Sequence, residues 1–219
     1  MIIDFFEFDK ARTGKQREER MSETVEPTED YLDFGYDYFD NPDLGVGYGG
    51  YKYDGRYRNP AAKMIKHYGL VKGDYVLETG CAKGFVLVHF YYFGMNVFGV
   101  DHSLYAVGET HPEIFGKIAW GNAWSLPSVT GEWDLVFSKE MLPHIPEDKL
   151  DLTLKEMIRV SKGNIFLEIQ CGRTPTELER MKKWDVTHRI CQTPEWWNER
   201  LDSVGYPGDV HYKVLFPDV

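Results

Sequence analysis

Cysteine is scarce in this chain: its 219 residues include three, at positions 81, 171 and 191. That odd number, without a Cys-x-x-Cys pair, excludes a disulfide framework and a structural zinc set, and it fits a reducing compartment. Long apolar runs are missing as well. No stretch approaches the roughly 18 residues that cross a bilayer, so a membrane is not an expected partner. The opening residues mix Asp4, Glu7 and Asp9 into an apolar stretch with no basic flank, which does not read as a signal peptide. Positive charge is in deficit, with a net charge of −10 and a pI near 5.2. The lysines and arginines are scattered, so the basic stripe that a nucleic-acid surface needs is absent. These absences lead to the expectation of a soluble, cytoplasmic protein that binds neither nucleic acid nor membrane. At 42% hydrophobic content, a chain of this length can bury one good core.

The informative stretch is residues 75–101. A short apolar run ends in an acid, Glu78; a glycine turn follows with Gly80, Ala82 and Gly84; then comes an apolar segment and a second strand-like run closed by Asp101. The order strand, tight loop, helix, strand with a terminal acid is the first half of a nucleotide-binding α/β unit. Small residues at 80, 82 and 84 let the backbone pass close to a ligand. Asp101 stands where a carboxylate can accept both hydroxyls of a ribose. A dinucleotide fingerprint would want small residues at the first, third and sixth positions, here Gly80, Ala82 and Phe85. Phe85 breaks that pattern, and the glycine arrives one residue early, so a nicotinamide-dependent dehydrogenase is disfavoured.

An acid followed by Gly-x-Ala-x-Gly resembles the first motif of the Rossmann-like (class I) methyltransferases that use S-adenosylmethionine. Further pieces of that pattern follow in order. Residues 120–127 resemble the segment flanking the adenine, 133–138 the fourth strand, 140–145 the loop after it, and 154–170 a helix, turn and fifth strand. The resemblance covers about residues 60–216. Ala82 replaces the usual middle glycine and Asn122 a frequent Asp, whose hydrogen-bonding role an amide can fill. The resemblance implies S-adenosyl-L-methionine as cofactor, with S-adenosyl-L-homocysteine as product. It implies cofactor contacts at Glu78, Gly80, Cys81, Ala82 and Gly84, at Asp101 and His102, at Asn122, Ala123 and Trp124, and at Lys139. Tyr53 and Arg56 would add contacts from the N-terminal arm.

The alternation of strand-like and helix-like segments predicts a mainly parallel sheet with helices on both faces, and the resemblance makes the expected fold α/β, Rossmann-like and doubly wound, with six or seven strands. The usual family sheet ends in an antiparallel hairpin. Here there is room for about six strands, unless an N-terminal segment supplies another. The expected organisation is an arm over residues 1–58 and a methyltransferase domain over 59–219, with a substrate lid at about 171–192. Residues 10–30 are polar and charged, whereas 31–58 combine nine aromatic side chains with glycines; within them the stretch 45–56 reads as an ordered loop folded over the pocket, the alternative being an aromatic clasp over the sheet edge. The segment 83–93 is apolar almost all round and reads as a buried helix in which His89 is a satisfied core residue. Cys81 reads as a small apolar filler beneath the loop.

Proton chemistry near the strand ends could use His188, His144 or Glu140, with His188 favoured. Tyr48, Asp185, Arg189 and Trp197 are the expected acceptor contacts. No metal is expected, because His188 and Asp185 lack third and fourth partners. The resemblance therefore implies methylation of an oxygen or nitrogen on a small molecule, in a sugar or secondary-metabolite setting, by a monomer or homodimer. Methylation of a protein or peptide, and a non-catalytic cofactor-binding subunit, remain the alternatives.

Overall fold

The computed structural model describes residues 3–7, 26–44 and 47–217. Most of the charged segment at 10–30 lies outside the described residues, as do Gly45 and Val46. Six strands form one sheet: β1 (Tyr75–Thr79), β2 (Asn96–Asp101), β3 (Ile118–Trp120), β4 (Leu135–Lys139), β5 (Ile165–Cys171) and β6 (Asp209–Val214), in the order β3-β2-β1-β4-β5-β6. Every pairing is parallel. The last strand thus differs from the antiparallel ending usual in the family. The connection after β5 carries two helices, α7 (Pro175–Trp184) and α8 (Pro194–Ser203); such a long crossover returns the chain to the starting end of the sheet and makes the next strand parallel.

Strand periodicity explains the two layers. Val76, Leu135, Phe137 and Phe166 face one core together with α3 (Arg58–Tyr68) and α4 (Leu87–Tyr92). Their neighbours Leu77, Val136, Ile165 and Leu167 face the other core with α8 and α6 (Glu147–Val160). Side chains alternate across a strand, so a sheet covered on both sides needs apolar residues at consecutive positions. In α6, Leu150, Leu154, Met157 and Val160 are all buried, the spacing of one helical face. α7 opens on Thr174, which accepts a bond from Glu177 N at 3.2 Å, while the Glu177 carboxylate accepts from Arg173 N at 2.6 Å, a reciprocal cap. α4 is shorter than the expected 83–93 helix. Gly84 has φ +75°, outside the helical region, so the helix can begin only after it.

Residues 3–7 do not form a seventh strand. Ile3 N donates to Val210 O at 3.2 Å, and Phe5 and Phe6 pack their rings on Phe166 at 4.9 and 6.2 Å. The arm adds two short helices, α1 (Glu29–Leu32) and α2 (Tyr36–Phe39), which bury Tyr31, Tyr38 and Phe39 against Ala106 of α5 (Leu104–Gly108). Strand order reverses between β1 and β4, and ligands in such sheets bind outside the carboxyl ends of the strands at that reversal. Among the described residues, no helix is long and apolar enough to cross a membrane.

Candidate active site

A cavity of about 510 Å³ opens at that reversal, walled by the loops after β1, β2, β3 and β4 and roofed by arm residues from Leu32 to Tyr57. Gly47, Tyr48, Gly50, Tyr51, Lys52, Arg56 and Tyr57 of the arm line it. Among the described residues, three non-glycines have left-handed backbone: Phe34 (φ 56°), Ala82 (47°) and Glu140 (60°). All three line this cavity. Such conformations cost about 1–3 kcal/mol each and persist where the surroundings over-determine them.

One half of the cavity is suited to a nucleotide. Gly80 has φ +71°, and a Cβ there would overlap the Met141 side chain, so glycine is required. Asp101 ties the loop to the end of β2, accepting from Ala82 N at 2.6 Å and Ser103 N at 2.8 Å. Burial raises its carboxyl above the ordinary range, against the opposing pull of those two N–H groups. Each oxygen keeps acceptor capacity for a ligand hydroxyl. Nearby, Asn122 Oδ1 is buried without a partner on the cavity wall, an acceptor waiting for a donor. His102, Ala123 and Trp124 line the same half.

The other half is aromatic and polar, with Phe34, Tyr38, Tyr48 and His144 on its wall. Its floor is an ionic cluster. Glu140 accepts from Lys213 Nζ, lies 3.1 Å from Lys139 Nζ and accepts from Gln170 Nε2 at 2.9 Å. Burial opposes its ionisation, but the two lysines hold the carboxyl well below the usual range. Asp185 accepts from Tyr31 Oη at 3.2 Å, Tyr38 Oη at 3.0 Å and Thr187 Oγ1 at 2.6 Å. Burial again opposes ionisation, and the neighbouring histidines with Thr187 outweigh it, so Asp185 stays a carboxylate. Arg189 N and Ile190 N both donate to Pro143 O, at 2.8 and 2.9 Å. This docking sets Thr187 beside the 142–144 turn, where His144 Nδ1 lies 2.9 Å from Thr187 Oγ1.

The expected site residues divide accordingly. Gly80, Ala82, Asp101, His102, Asn122, Ala123, Trp124, Lys139 and Arg56 line the cavity, as do Tyr48, Glu140, His144, Asp185 and Arg189. Six lie outside its lining. Glu78 is buried beneath the loop, held by the Leu87 amide, and burial raises its carboxyl. Cys81 is core filler under Gly99, its thiol pushed up by burial. Gly84 faces Ile114 and Ile118 rather than the cavity; its glycine serves helix–sheet packing. Tyr53 packs on His111 at 4.5 Å and on Phe85 at 5.7 Å, on the outer side of α4. Trp197 is fully buried between α8 and the sheet, away from the wall of this cavity. His188 is buried behind His144, with its Nε2 2.7 Å from Gln170 Oε1 and its Nδ1 3.2 Å from Met181 O. Gln170 must turn its NH2 toward the Glu140 carboxylate, so both His188 nitrogens face acceptors. Both nitrogens are thus committed to protein groups behind His144, which removes His188 as the favoured base.

His89 also departs from expectation: it is buried, but both ring nitrogens are without partners. His144, Asp185 and His188 lie close enough to bracket an ion. Every nitrogen and oxygen they bring to that cluster, bar His144 Nε2, already has a hydrogen-bond partner, which marks a polar network. Gln170, Thr187, Tyr38 and Lys213 were not anticipated. Gln170 could have been found from its place at the end of the fifth strand, the rule that located Lys139.

A comparison with curated proteins finds no match. Three of the solved structures that share the fold illustrate the likeness. The YcgJ protein of Bacillus subtilis is 18% identical, with 66% of each chain covered and a TM-score of 0.56. A SAM-dependent methyltransferase of Archaeoglobus fulgidus is 21% identical over 68% of each chain, with a TM-score of 0.54. A Haemonchus contortus phosphoethanolamine N-methyltransferase, solved with phosphomonomethylethanolamine and S-adenosylhomocysteine, is 19% identical over 81% of this chain and 42% of its own, with a TM-score of 0.56. The methyltransferase-domain family model matches residues 76–164, the segment that supplies the glycine loop, Asp101, Asn122 and the floor after β4. That segment matches the methyltransferase-domain family, and the sheet built around it has the Rossmann-like fold of the class I methyltransferases.

Proposed function

We propose that the protein transfers a methyl group from S-adenosylmethionine to an oxygen or nitrogen of a small-molecule acceptor. The observation that carries this reading is one cavity with two chemically distinct halves, roofed by the chain's own arm. The residues present suit the cofactor. Asp101 has spare acceptor positions for a ribose, the buried partnerless Asn122 Oδ1 suits an adenine amino group, and Gly80, packed against Met141 where a Cβ would not fit, keeps the loop backbone on the cavity wall. When bound, the cofactor supplies an electrophilic methyl group on a sulfonium.

What the chain contributes is placement. Aligning acceptor and donor in one enclosed space can lower a barrier by roughly 7–11 kcal/mol. Arm residues cover part of the opening, and Tyr38 and Tyr48 present aromatic ring surface at the acceptor half. An arm laid across the mouth of a cavity of this size favours a small acceptor over a protein side chain carried on a folded surface.

The test has two parts. Calorimetric titration should show binding of S-adenosylhomocysteine. Labelled-methyl transfer should then identify an acceptor in a panel of nucleotide-sugars, small acids and amines. Absence of any cofactor binding, by heat or by thermal shift, refutes the proposal.

A further inference from the structure

Thr187 has one hydroxyl hydrogen, and its neighbours decide where that hydrogen goes. Asp185 Oδ1 lies 2.6 Å from Thr187 Oγ1, and a carboxylate can only accept. Two oxygens that close without a hydrogen between them would repel, so the hydroxyl donates to Asp185. The oxygen therefore has only lone pairs to offer His144 Nδ1, 2.9 Å away. An unprotonated Nδ1 would set lone pair against lone pair, so Nδ1 carries the proton and donates. Burial and the adjacent His188 ring hold the His144 pKa near 4, so the ring is neutral at physiological pH and Nε2 is unprotonated. With the Nδ1 edge turned to Thr187, the Nε2 edge is the one left for the cavity that His144 lines.

Asp185 is itself fixed from several sides. Tyr31 and Tyr38 donate to it from the arm, and Thr187 N donates to Oδ1 at 2.9 Å. The ring is braced as well. Phe34 meets it edge to face at 5.6 Å, and His188 packs against it with centroids 4.7 Å apart. Its neighbour His188 is committed at both nitrogens, so these two rings present a single free lone pair toward the acceptor half.

We infer that Asp185 and Thr187 are positioning residues that hold His144 as the Nδ1–H tautomer, and that His144 Nε2 takes the acceptor's proton during methyl transfer. This rests on the methyltransferase reading. In the step, the acceptor atom forms its bond to the methyl carbon as that carbon's bond to sulfur breaks, the electron pair staying on sulfur. The acceptor's O–H or N–H proton passes to Nε2, leaving an imidazolium whose Nδ1–H is held by Thr187 and, through it, by the charge of Asp185. The arm enters the same device, because the carboxylate that orients the base also receives the two arm tyrosines. A base so placed contributes typically 10²–10⁴-fold.

The tautomer can be read without knowing the acceptor. Protein labelled with ¹⁵N-histidine, at pH 7 and with His144 assigned by a His144→Gln variant, should show a protonated Nδ1 and an unprotonated Nε2 for that ring. Saturating S-adenosylhomocysteine should move the Nε2 resonance, since the two share one cavity. Thr187→Val should abolish the Nδ1–H form, and Thr187→Ser, which restores the hydroxyl, should keep it. Near-ultraviolet circular dichroism checks that both variants fold; if the valine variant does not, Asp185→Asn read in the same way replaces it. A wild-type ring protonated at Nε2, an Nε2 resonance indifferent to the bound product, or an unchanged tautomer in Thr187→Val overturns the assignment. Calorimetry on the wild type separates the two ideas. Binding with the wrong tautomer defeats the base alone, whereas no binding removes the reaction and the assignment with it.

Discussion

Lys83 is the residue whose loss should release the arm. It sits in the glycine loop, 5% exposed, and its ammonium donates to Asp40 of the arm and reaches Tyr51 O at 3.4 Å. Asp40 also accepts from Tyr105 Oη at 2.6 Å and from Tyr51 N at 3.0 Å. Although burial raises the Asp40 carboxyl, Lys83 and Tyr105 outweigh it and hold the pKa low. Lys83→Met keeps the stem and removes the charge. Breaking a fully buried pair costs about 3–5 kcal/mol. Here the Asp40 side chain is 18% exposed and keeps two other donors, so about 2 kcal/mol is the better figure, a factor of roughly 30 in the arm's opening equilibrium. The arm is the member free to leave, since Asp40 regains water by moving with it.

Hydrogen exchange reads this directly. The amides of Tyr48, Gly50 and Tyr51 bond to Tyr38 O and Phe39 O at 2.9–3.0 Å. They should exchange about 30 times faster in Lys83→Met, while Val136 N, bonded to Asn164 O at 3.0 Å in the sheet, should be unchanged. The sign with pH is set by the depressed Asp40 carboxyl. The stability it lends is complete above the ordinary Asp value of about 3.9 and disappears as pH falls through its lower folded value. Arm protection should therefore fall in acid in the wild type and much less so in the variant. Equal exchange of the arm amides in the two proteins at neutral pH would refute the clasp.

Asp101→Asn should weaken S-adenosylhomocysteine binding by about ten- to a hundredfold in calorimetry, the loss of about 1.5–3 kcal/mol in charge-assisted contact. Trp197→Ala should lower stability to denaturant by about 3–5 kcal/mol while leaving the product's dissociation constant within about twofold; a selective loss of binding would restore Trp197 to the site. His89 and His144 are both held near pKa 4, the first by burial with Arg58 and His111 nearby, the second by burial with His188 nearby. Unfolding lets each ring return to about 6.5 and take up a proton, so stability should be full above that value and fall as pH drops toward 4. A His89→Leu variant whose denaturation midpoint shows the same pH slope between 6.5 and 4 as the wild type would contradict this for His89.

What could be read in the sequence was local. The glycine loop and Asp101 lie within about twenty residues of one another, and their geometry follows from backbone rules that spacing reveals. Glu78 was placed correctly along the chain but not in depth: alternation in β1 turns it under the loop, away from the cavity. The preference for His188 over His144 fails because what distinguishes them is the partner on each nitrogen. Gln170 is 18 positions from His188, and Thr187 is 43 from His144. Asp185 looked like an acceptor contact for the same reason. Its tyrosine donors stand 154 and 147 residues away, and no periodicity links them. Trp197 misled because an aromatic next to a polar segment reads alike whether it faces a ligand or a sheet.

The three left-handed non-glycines show how those distant pieces are made to agree. Phe34 belongs to the arm, Ala82 to the first loop and Glu140 to the turn after β4, and each is held by a bond from another segment. Ser103 Oγ donates to Phe34 O at 2.5 Å, Ala82 N donates to Asp101 at 2.6 Å, and Glu140 N donates to Glu168 O at 2.8 Å. Ser103 and Asp101 are two residues apart at the end of β2, so the arm and the glycine loop are strained against one anchor. Relaxing any of the three would turn a chain segment away from the cavity: the ring of Phe34 from His144, the loop from its nucleotide half, or the carboxylate of Glu140 from Gln170 and the lysines. The strain is therefore confined to the backbone that shapes the cavity, and it is offset by bonds anchored in β2 and β5. A site whose separate segments are tied together in this way is held in shape before its ligands arrive, which is the condition under which placement alone can supply most of a rate enhancement.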